Sequence, residues 1–452
     1  MKIIIKGQAL IKGAPPHVVD KLIKDLTYLN PEYDDALKAG RWISQELARK
    51  KHLKYYRMNG DSIIIPRAMV GKVLNWTKFP QQQITDFTVA PTIDIEFTGK
   101  LRDYQEAAVA DIMRKRYGVL EAATGAGKTL IGIKYVCERK LKTLIIVHNK
   151  ELFMQWQERF KQFSTIKEFG LIGGGKFSIG DVTIGIINSV EKRLEEIKDE
   201  FGIVIYDECH RVLGDTWTKA VNTLRPRFHI GMSATPYRRQ RHMTKALFCL
   251  LGPMMHKVDR THLINTGAVL QPRIIRRNTS FDRADRNIAY TQLVQFLCAD
   301  KERNIQIGND IIEEFKRYKE PIMVVSDRIT HCEAIKYMID GERGITPLVL
   351  NGNLPKKYRE QTVKDMKEGF YNVLIATVSL LGEGFDAPDL NSIFLTTPIK
   401  FQGRTLQTIG RILRPSGGGQ PRVYDYRDVK VKTLLYSGFA RDRIYKEYGW
   451  EV

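Results

Sequence analysis

Residues 122–129, Ala-Ala-Thr-Gly-Ala-Gly-Lys-Thr, combine the residue types that bind phosphate. Mostly apolar stretches at 119–122 and 130–133 flank them, which predicts a strand, a glycine-rich loop and a helix. Lys128 can reach β- and γ-phosphates, and the Thr129 hydroxyl can ligate Mg²⁺. Backbone N–H groups of the loop can bind further phosphate oxygens, namely those of Ala123, Thr124, Gly125, Ala126 and Gly127. The octet predicts a nucleoside triphosphate site, although Ala122 stands where the general pattern has glycine.

A pair of acids follows the apolar stretch 203–206, in the order Asp207-Glu208-Cys209-His210. Adjacent carboxylates at the end of a strand suit Mg²⁺ chemistry: Asp207 would hold the metal, and Glu208 would orient and deprotonate the attacking water. A solvated strand-end turn is the plainer alternative. A metal pair of Cys209 and His210 is also conceivable, but two ligands make a poor zinc site.

The order of these motifs resembles that of superfamily 2 helicases and translocases. The resemblance implies that Gln105, in Leu-Arg-Asp-Tyr-Gln, contacts the adenine base. It implies strand contacts at Lys150 and Ser189, although His148 stands where proline is usual. The Ser-Ala-Thr sequence at 233–235 resembles the motif that couples hydrolysis to movement.

Two later segments complete the resemblance. Residues 375–386 resemble the motif that touches both ATP and nucleic acid, with Gly384 and Asp386 as the ATP contacts. Residues 407–414 resemble the arginine-finger motif. Arg411 and Arg414 stand at i and i+3, so they share one helix face and could stabilise charge on the γ-phosphate. Exposed arginines on an ordinary helix would be the alternative for this segment alone.

The motif set resembles the XPB/RecG/UvsW-like group, and the compact length suggests a phage-type branch-migrating helicase. The implied activity is ATP-dependent unwinding or branch migration of forked and junction DNA, with ATP and Mg²⁺ as cofactors. The basic run at 237–241 follows the coupling motif, but it could equally be a solvated loop. The expected nucleic-acid contacts are Lys150, Ser189, Arg238, Arg239, Arg241, Asn351 and Thr377.

Short apolar strands alternate with helices twice along the chain, which predicts an α/β fold. We expect two tandem RecA-like parallel-sheet motor domains at 96–255 and 256–452, with ATP in the cleft between them, and a small α+β N-terminal DNA-binding domain at 1–95. In the N-terminal region, a strand is predicted from Ile3 to Ile11. In the first motor, strands are predicted at 118–122, 143–148, 182–188, 203–207 and 229–232. In the second, they are predicted at 322–326, 347–350, 373–376, 393–396 and 423–426, with a helix at 356–367.

Composition narrows the partners. The 452 residues carry a formal net charge of +21, and a protein this basic that binds ATP usually meets nucleic acid. No stretch approaches the ~18 apolar residues of a membrane span, and the N-terminus lacks a signal-peptide layout. The five cysteines form no C-x-x-C pair, which argues against disulfides and zinc. We expect a monomer in the cytoplasm, or in the host cytoplasm if the protein is phage-encoded.

Residues 1–96 hold 15 Lys/Arg against 10 Asp/Glu. Their basic cluster at 49–51 lies near Trp42, Tyr55 and Tyr56, and this combination could contact a duplex or stack on an exposed base. The alternative is that these aromatic residues form the core of a small domain.

Three rival functions remain open: an RNA helicase, the motor of a restriction system, and a non-catalytic, nucleotide-sensing DNA-binding or annealing protein. A restriction motor predicts a nuclease module, and no convincing acidic constellation for one occurs outside the motor. Glu208, Arg411 and Arg414 argue against the non-catalytic rival.

Overall fold

The computed structural model describes residues 1–77, 83–123, 125–237, 240–259, 263, 271–283, 288–352, 354–378, 390–398, 420–447 and 450. The chain forms two compact units. The first comprises Met1–Ala123 and Gly127–Val258, and the second comprises Asp259–Val452 with the stretch 124–126. The predicted boundaries at 95/96 and 255/256 stay predictions. Within the described residues, no helix has the length and hydropathy that a bilayer span requires.

The N-terminal region is a small α+β layer around its own sheet, in the order β5-β6-β2-β1-β7. Strands β3 and β4 form a separate antiparallel pair. The elements are β1 (Lys2–Ile5), β2 (Gln8–Lys12), α1 (Pro16–Asp25), β3 (Thr27–Leu29), α2 (Pro31–Lys38), α3 (Gln45–Arg49), β4 (His52–Lys54), β5 (Arg57–Asn59), β6 (Ser62–Pro66), α4 (Val70–Thr77) and β7 (Ile84–Asp86).

The sequence pattern predicts one strand from Ile3 to Ile11, and this prediction is wrong. The chain reverses at Lys6–Gly7, and β1 and β2 pair antiparallel. A Cβ on Gly7 would lie 2.1 Å from the backbone oxygen of Asn222. Glycine therefore lets the hairpin turn approach the neighbouring backbone closely.

The larger sheet of the first unit has the order β11-β10-β12-β9-β13-β14-β8-β15, and every pair except β10–β11 is parallel. Strand β13 is buried throughout, as expected for a parallel strand covered by helices on both faces. The elements are α5 (Asp103–Met113), β8 (Tyr117–Glu121), α6 (Lys128–Arg139), β9 (Thr143–Val147), α7 (Lys150–Phe163), β10 (Gly170–Gly173), β11 (Lys176–Phe177), β12 (Val182–Ile186), α8 (Ile187–Glu191), α9 (Leu194–Ile197), β13 (Ile203–Asp207), α10 (Asp215–Thr223), β14 (Phe228–Ser233), α11 (Arg241–Leu251) and β15 (Met254–Lys257).

The second unit contains a parallel sheet in the order β16-β21-β20-β17-β19-β18. Its elements are β16 (Arg273–Asn278), α12 (Tyr290–Ala299), α13 (Lys301–Tyr318), β17 (Ile322–Ser326), α14 (Ile329–Ile339), β18 (Pro347–Leu350), α15 (Lys356–Lys367), β19 (Val373–Thr377), β20 (Ser392–Leu395), β21 (Arg422–Arg427) and α16 (Lys432–Glu447).

The α/β prediction is confirmed, and the predicted strands match the observed ones closely. The predicted strand 182–188 runs too far, since α8 begins at Ile187. Strands β10, β11, β15 and β16 were not predicted from sequence.

A buried arginine fixes the N-terminal layer to the large sheet of the first unit. Arg67 is 1% exposed, and its guanidinium donates to the carbonyl oxygen of Leu224 at 2.9 Å and to Nδ1 of His229 at 2.8 Å. That contact makes His229 Nε2 the protonated nitrogen, which donates to the Leu251 carbonyl oxygen at 3.0 Å. Because His229 lies on β14, the N-terminal layer contacts the strand that leads to Ser233.

Candidate active site

The predicted site residues of the first unit lie along the carboxyl edge of its parallel sheet. Strands β12, β9, β13, β14 and β8 are consecutive neighbours. Ser189, Lys150, Asp207, Ser233 and the phosphate loop end or follow these strands in that spatial order. Parallel α/β sheets bind ligands outside the carboxyl ends of their strands. The fold therefore gathers residues that are far apart in sequence at one edge.

The phosphate loop connects β8 to α6 through two glycines with positive φ, Gly125 at 86° and Gly127 at 78°. The positive φ of Gly127 favours glycine, and a Cβ there would also lie 2.3 Å from Nε2 of the Gln105 side chain. The Lys128 ammonium lies over the loop and donates to the Ala122 carbonyl oxygen at 3.2 Å. The loop is thereby shaped to present the first N–H groups of a twelve-residue helix.

Gln105 is buried beside this loop. Its Oε1 accepts a hydrogen bond from the Arg102 N–H at 2.9 Å, at the start of α5. The structure thus brings Gln105 to the phosphate loop, while its contact with the adenine base stays a prediction.

The two acids have different surroundings. Asp207 is 5% exposed; its Oδ2 accepts from the Trp156 Nε1–H at 2.9 Å, and its Oδ1 accepts from the Glu208 N–H at 3.0 Å. Burial and the neighbouring negative charge of Glu208 raise the pKa of Asp207. Burial alone would also raise the pKa of Glu208, but its hydrogen bond with His210 and the positive charge of Lys128 lower that pKa overall.

A polar cluster joins the second acid to the coupling motif. Glu208 Oε2 lies 3.2 Å from His210 Nδ1 and 3.3 Å from the Ser233 hydroxyl, which donates to it. The Ser233 Oγ accepts from the Thr235 N–H at 3.1 Å. Glu208 adopts the left-handed conformation, with φ of 51°, which turns the chain at the end of β13. The site acid therefore touches the segment that resembles the coupling motif.

The backbone ties the same segment to the phosphate loop, since the Ala122 N–H donates to the Ser233 carbonyl oxygen at 3.1 Å. Ser233 consequently contacts both the loop and the acid.

Trp156 is the site residue whose role the sequence did not reveal. It is 1% exposed on α7 and holds Asp207 across the sheet. The sequence gives little indication of this role, because a tryptophan on an amphipathic helix is ordinarily predicted to pack in the core. The nitrogen of its indole ring is what makes it part of the site.

The structure shows the surroundings of His148, which stands where proline is usual, and of the conceivable metal pair Cys209 and His210. Burial, followed by the positive charge of Arg211, lowers the pKa of His148 to about 4, so the imidazole is neutral at physiological pH. Cys209 is fully buried in the apolar core, whereas His210 faces Glu208 and Ser233. The conceivable Cys209/His210 metal pair is therefore not formed.

The residues fit ATP and Mg²⁺. Mg²⁺ usually takes one or two protein oxygens and completes its shell with phosphate oxygens and water. The Asp207 carboxylate and the half-buried Thr129 hydroxyl on the first turn of α6 supply such oxygens. The positive charge of Lys128 favours the ionised form of both acids: it adds to the lowering of the Glu208 pKa and opposes the rise of the Asp207 pKa.

Known families match both halves of this architecture. The family described as "Type III restriction enzyme, res subunit" matches residues 98–238, and "Helicase conserved C-terminal domain" matches residues 305–416. The DNA 3'-5' translocase XPB2 of Sulfurisphaera tokodaii is 24% identical over 70% of this chain and 79% of that protein. A protein of Acanthamoeba polyphaga mimivirus, L396, provisionally named an ATP-dependent RNA helicase, is 25% identical over 88% of this chain and 77% of its own length.

The chain belongs to the superfamily 2 helicases, and it is similar to a DNA translocase named XPB2. The Pyrococcus furiosus Hef helicase domain shares the fold, with a TM-score of 0.54 at 15% identity, over 75% of this chain and 98% of that one. This helicase is an ATP-dependent enzyme with two tandem RecA-like domains.

Some of the nucleic-acid contacts predicted for the helicase lie within the described residues. Lys150 is exposed at the start of α7, and Ser189 is half-buried in α8. In the second unit, Asn351 follows β18 and Thr377 ends the neighbouring strand β19, so both lie at one carboxyl edge. Arg241 begins α11, but its side chain lies outside the description.

Several predicted residues of the helicase lie outside the described residues, and their roles stay predictions. They are Thr124, Arg238, Arg239, Gly384, Asp386, Arg411 and Arg414.

Proposed function

We propose that this helicase hydrolyses ATP at the carboxyl edge of the first sheet and uses the energy to unwind or branch-migrate forked and junction DNA. The observation that carries the proposal is the contact of Glu208 with His210 and Ser233. A carboxylate hydrogen-bonded to the coupling motif can pass a change at the γ-phosphate to the segment that leads into the basic run at 237–241.

The roles of the side chains follow from their surroundings. Lys128 binds the β- and γ-phosphates. Glu208, kept anionic by its lowered pKa, orients the attacking water and accepts its proton. Thr129 and Asp207 would hold Mg²⁺, which when bound would neutralise phosphate charge. Trp156 keeps the Asp207 carboxylate in position. Arg411 and Arg414 are proposed as the arginine fingers.

The branched substrate rests on the order of the motifs and on their resemblance to the XPB/RecG/UvsW-like group. Binding should be independent of base sequence and sensitive to salt, because phosphate contacts dominate it. We further propose that the enzyme acts as a monomer in the cytoplasm.

The test is ATP-driven strand separation on fork, Holliday-junction, overhang and blunt substrates, each built in DNA and in RNA. We expect faster turnover of forks and junctions than of overhangs, and faster turnover of DNA than of RNA. Glu208→Gln is the inactive control. Equal rates on overhangs and junctions would contradict the branched substrate, and faster unwinding of RNA would favour the rival that the mimivirus relative's name suggests.

A further inference from the structure

Trp42 is 84% exposed, and it differs in this from the other tryptophans of the described chain. Trp156, Trp217 and Trp450 are at most 6% exposed, and Trp76 is half-buried against the N-terminal core. An indole ring has a large apolar face that is ordinarily buried in a core or against a ligand. A tryptophan left in solvent is therefore a candidate contact for something outside the chain.

The turn that carries Trp42 is well defined by hydrogen bonds. Gly40 has φ of 61°, and the Arg41 N–H donates to the Ala36 carbonyl oxygen at 2.9 Å, which closes the end of α2. On the other side, the Ser44 hydroxyl caps α3 by accepting from the Leu47 N–H at 3.1 Å. Trp42 thus lies in the short connection between α2 and α3, and hydrogen bonds fix both ends of that connection.

The positive charge of the N-terminal region is concentrated in the segment 38–54, which contains this turn. Residues 38–54 contain six Lys/Arg and one Glu, whereas the remainder of residues 1–96 contains nine of each sign. All six cations are exposed. Among the described contacts, Lys38 pairs with Asp34 and Lys50 with Glu46, while Arg41, Arg49 and Lys54 are in no ion pair. The cations are Lys38, Arg41, Arg49, Lys50, Lys51 and Lys54.

The two neighbouring tyrosines do not share this exposure. Tyr55 and Tyr56 are half-buried and pack against the N-terminal core. The Tyr55 ring also makes an edge-to-face contact with the Tyr28 ring, with 5.8 Å between the ring centroids. Of the aromatic residues near the basic cluster, the structure thus leaves Trp42 available for stacking and uses the tyrosines for packing.

We propose that Trp42 stacks on an unpaired DNA base while the surrounding cations hold the adjacent phosphates. The inference rests on the proposed function and adds a strand-binding element to it. Aromatic–base stacking tolerates any base, since every base has a π-face, and cations nearby supply the phosphate contacts. Inside a closed duplex, both faces of each base are covered by its neighbours. The site should therefore prefer single strands and fork openings to uninterrupted duplex.

The experiment compares full-length protein and Trp42→Ala on two fluorescently labelled DNAs, a 20-nucleotide single strand and a duplex closed at both ends by hairpins. Anisotropy should show single-strand binding weakened about tenfold, and closed-duplex binding nearly unchanged. Intrinsic tryptophan fluorescence should be quenched by the single strand in the parent protein and not in Trp42→Ala. Trp42→Phe should restore most of the affinity, because phenylalanine also stacks.

Two matched variants separate stacking from other effects. Tyr337 in the second unit is 85% exposed, and Tyr337→Ala should change neither measurement. Arg41→Ala should weaken binding to both DNAs and lower the slope of log K against log salt by about one. Because Trp42 is exposed, its substitution should leave the thermal unfolding temperature unchanged.

Equal weakening on both DNAs would overturn the stacking assignment, and so would unchanged single-strand affinity with unchanged quenching. If Trp42→Ala kept its DNA binding but lost binding to an acidic protein, the surface around Trp42 would be assigned to a protein partner instead. These outcomes are distinct from failure of the proposed function. An enzyme with no preference for branched DNA could still lose single-strand binding and quenching on Trp42→Ala.

Discussion

The acids at the carboxyl edge of the first parallel sheet and the buried acids of the second unit have different partners. In the first unit, Asp207 and Glu208 contact an indole N–H, a backbone N–H, an imidazole and a hydroxyl, and within the described residues neither forms an ion pair with lysine or arginine. In the second unit, Asp425 on β21 contacts both Arg427 and Arg441, the latter at 2.8 Å.

Other acids of the second unit follow the same rule. Asp428 pairs with the fully buried Arg303 at 2.7 Å, and Glu314 pairs with Arg422 at 2.5 Å. An acid neutralised by a guanidinium contributes to structure, whereas an acid without a guanidinium partner remains able to bind a cation or a proton. We infer that this difference separates the proposed catalytic carboxylates from structural ones, and four substitutions test the inference.

Glu208→Gln should have the largest effect. Removing the base should lower the rate of DNA-stimulated ATP hydrolysis about 100- to 10,000-fold, with an unchanged unfolding temperature. Steady-state turnover and thermal unfolding are the measurements. Glu195→Gln, at an exposed acid paired with Lys198, is the control and should retain full turnover. Full turnover by Glu208→Gln would remove this residue from the catalytic role.

Asp425→Ala should damage stability rather than catalysis. It leaves Arg427 and Arg441 without their shared carboxylate, at a cost of about 3–5 kcal/mol in the free energy of unfolding. Urea unfolding measures the loss. The half-exposed pair of Glu342 with Lys316 provides the control, since Glu342→Ala should cost less than about 1 kcal/mol. Similar costs for the two variants would contradict the structural role of the buried network.

Trp156→Phe removes the N–H that holds Asp207. We expect it to reduce the free energy of unfolding by about 1–2 kcal/mol more than Trp217→Phe, which removes a similar ring from the apolar core of the same unit. Equal losses, measured by urea unfolding of both variants, would show that the hydrogen bond to Asp207 contributes nothing.

Ser233→Ala should have the smallest effect, about a tenfold slower hydrolysis, because one hydrogen bond to the Glu208 carboxylate is lost. Strand separation should fall further than hydrolysis if Ser233 couples the two activities. Ser326 ends β17 in the second sheet and also contacts an imidazole, that of His331 at 2.9 Å. Ser326→Ala should leave turnover per folded molecule unchanged, and an equal slowing by both variants would argue against a specific coupling role.

Local patterns account for what could be predicted of the fold. Strands β9, β13 and β17 can be predicted from their apolar runs, because a parallel strand buried on both faces consists almost entirely of apolar residues. The hairpin at Gly7 and the edge strands β11 and β15 lack that signature. Their positions depend on neighbours that are distant in sequence, so periodicity alone could not reveal them.

The sequence by itself indicated the chemistry that we propose for the site. The glycines, Lys128 and Thr129 of the phosphate loop, and the acids Asp207 and Glu208, are recognisable because the proposed functions require fixed residue types at fixed short spacings. Those requirements are local, so they survive without knowledge of the path of the chain.

Only the tertiary structure decided which distant side chains serve that chemistry. It placed the Trp156 indole on Asp207, the Ser233 hydroxyl on Glu208 and the Arg67 guanidinium on His229. It also distinguished the exposed Trp42 from the packed Tyr55. Hydrogen bonds and burial depend on separations of a few ångströms between segments far apart in sequence, and those separations exist only once the sheets have assembled.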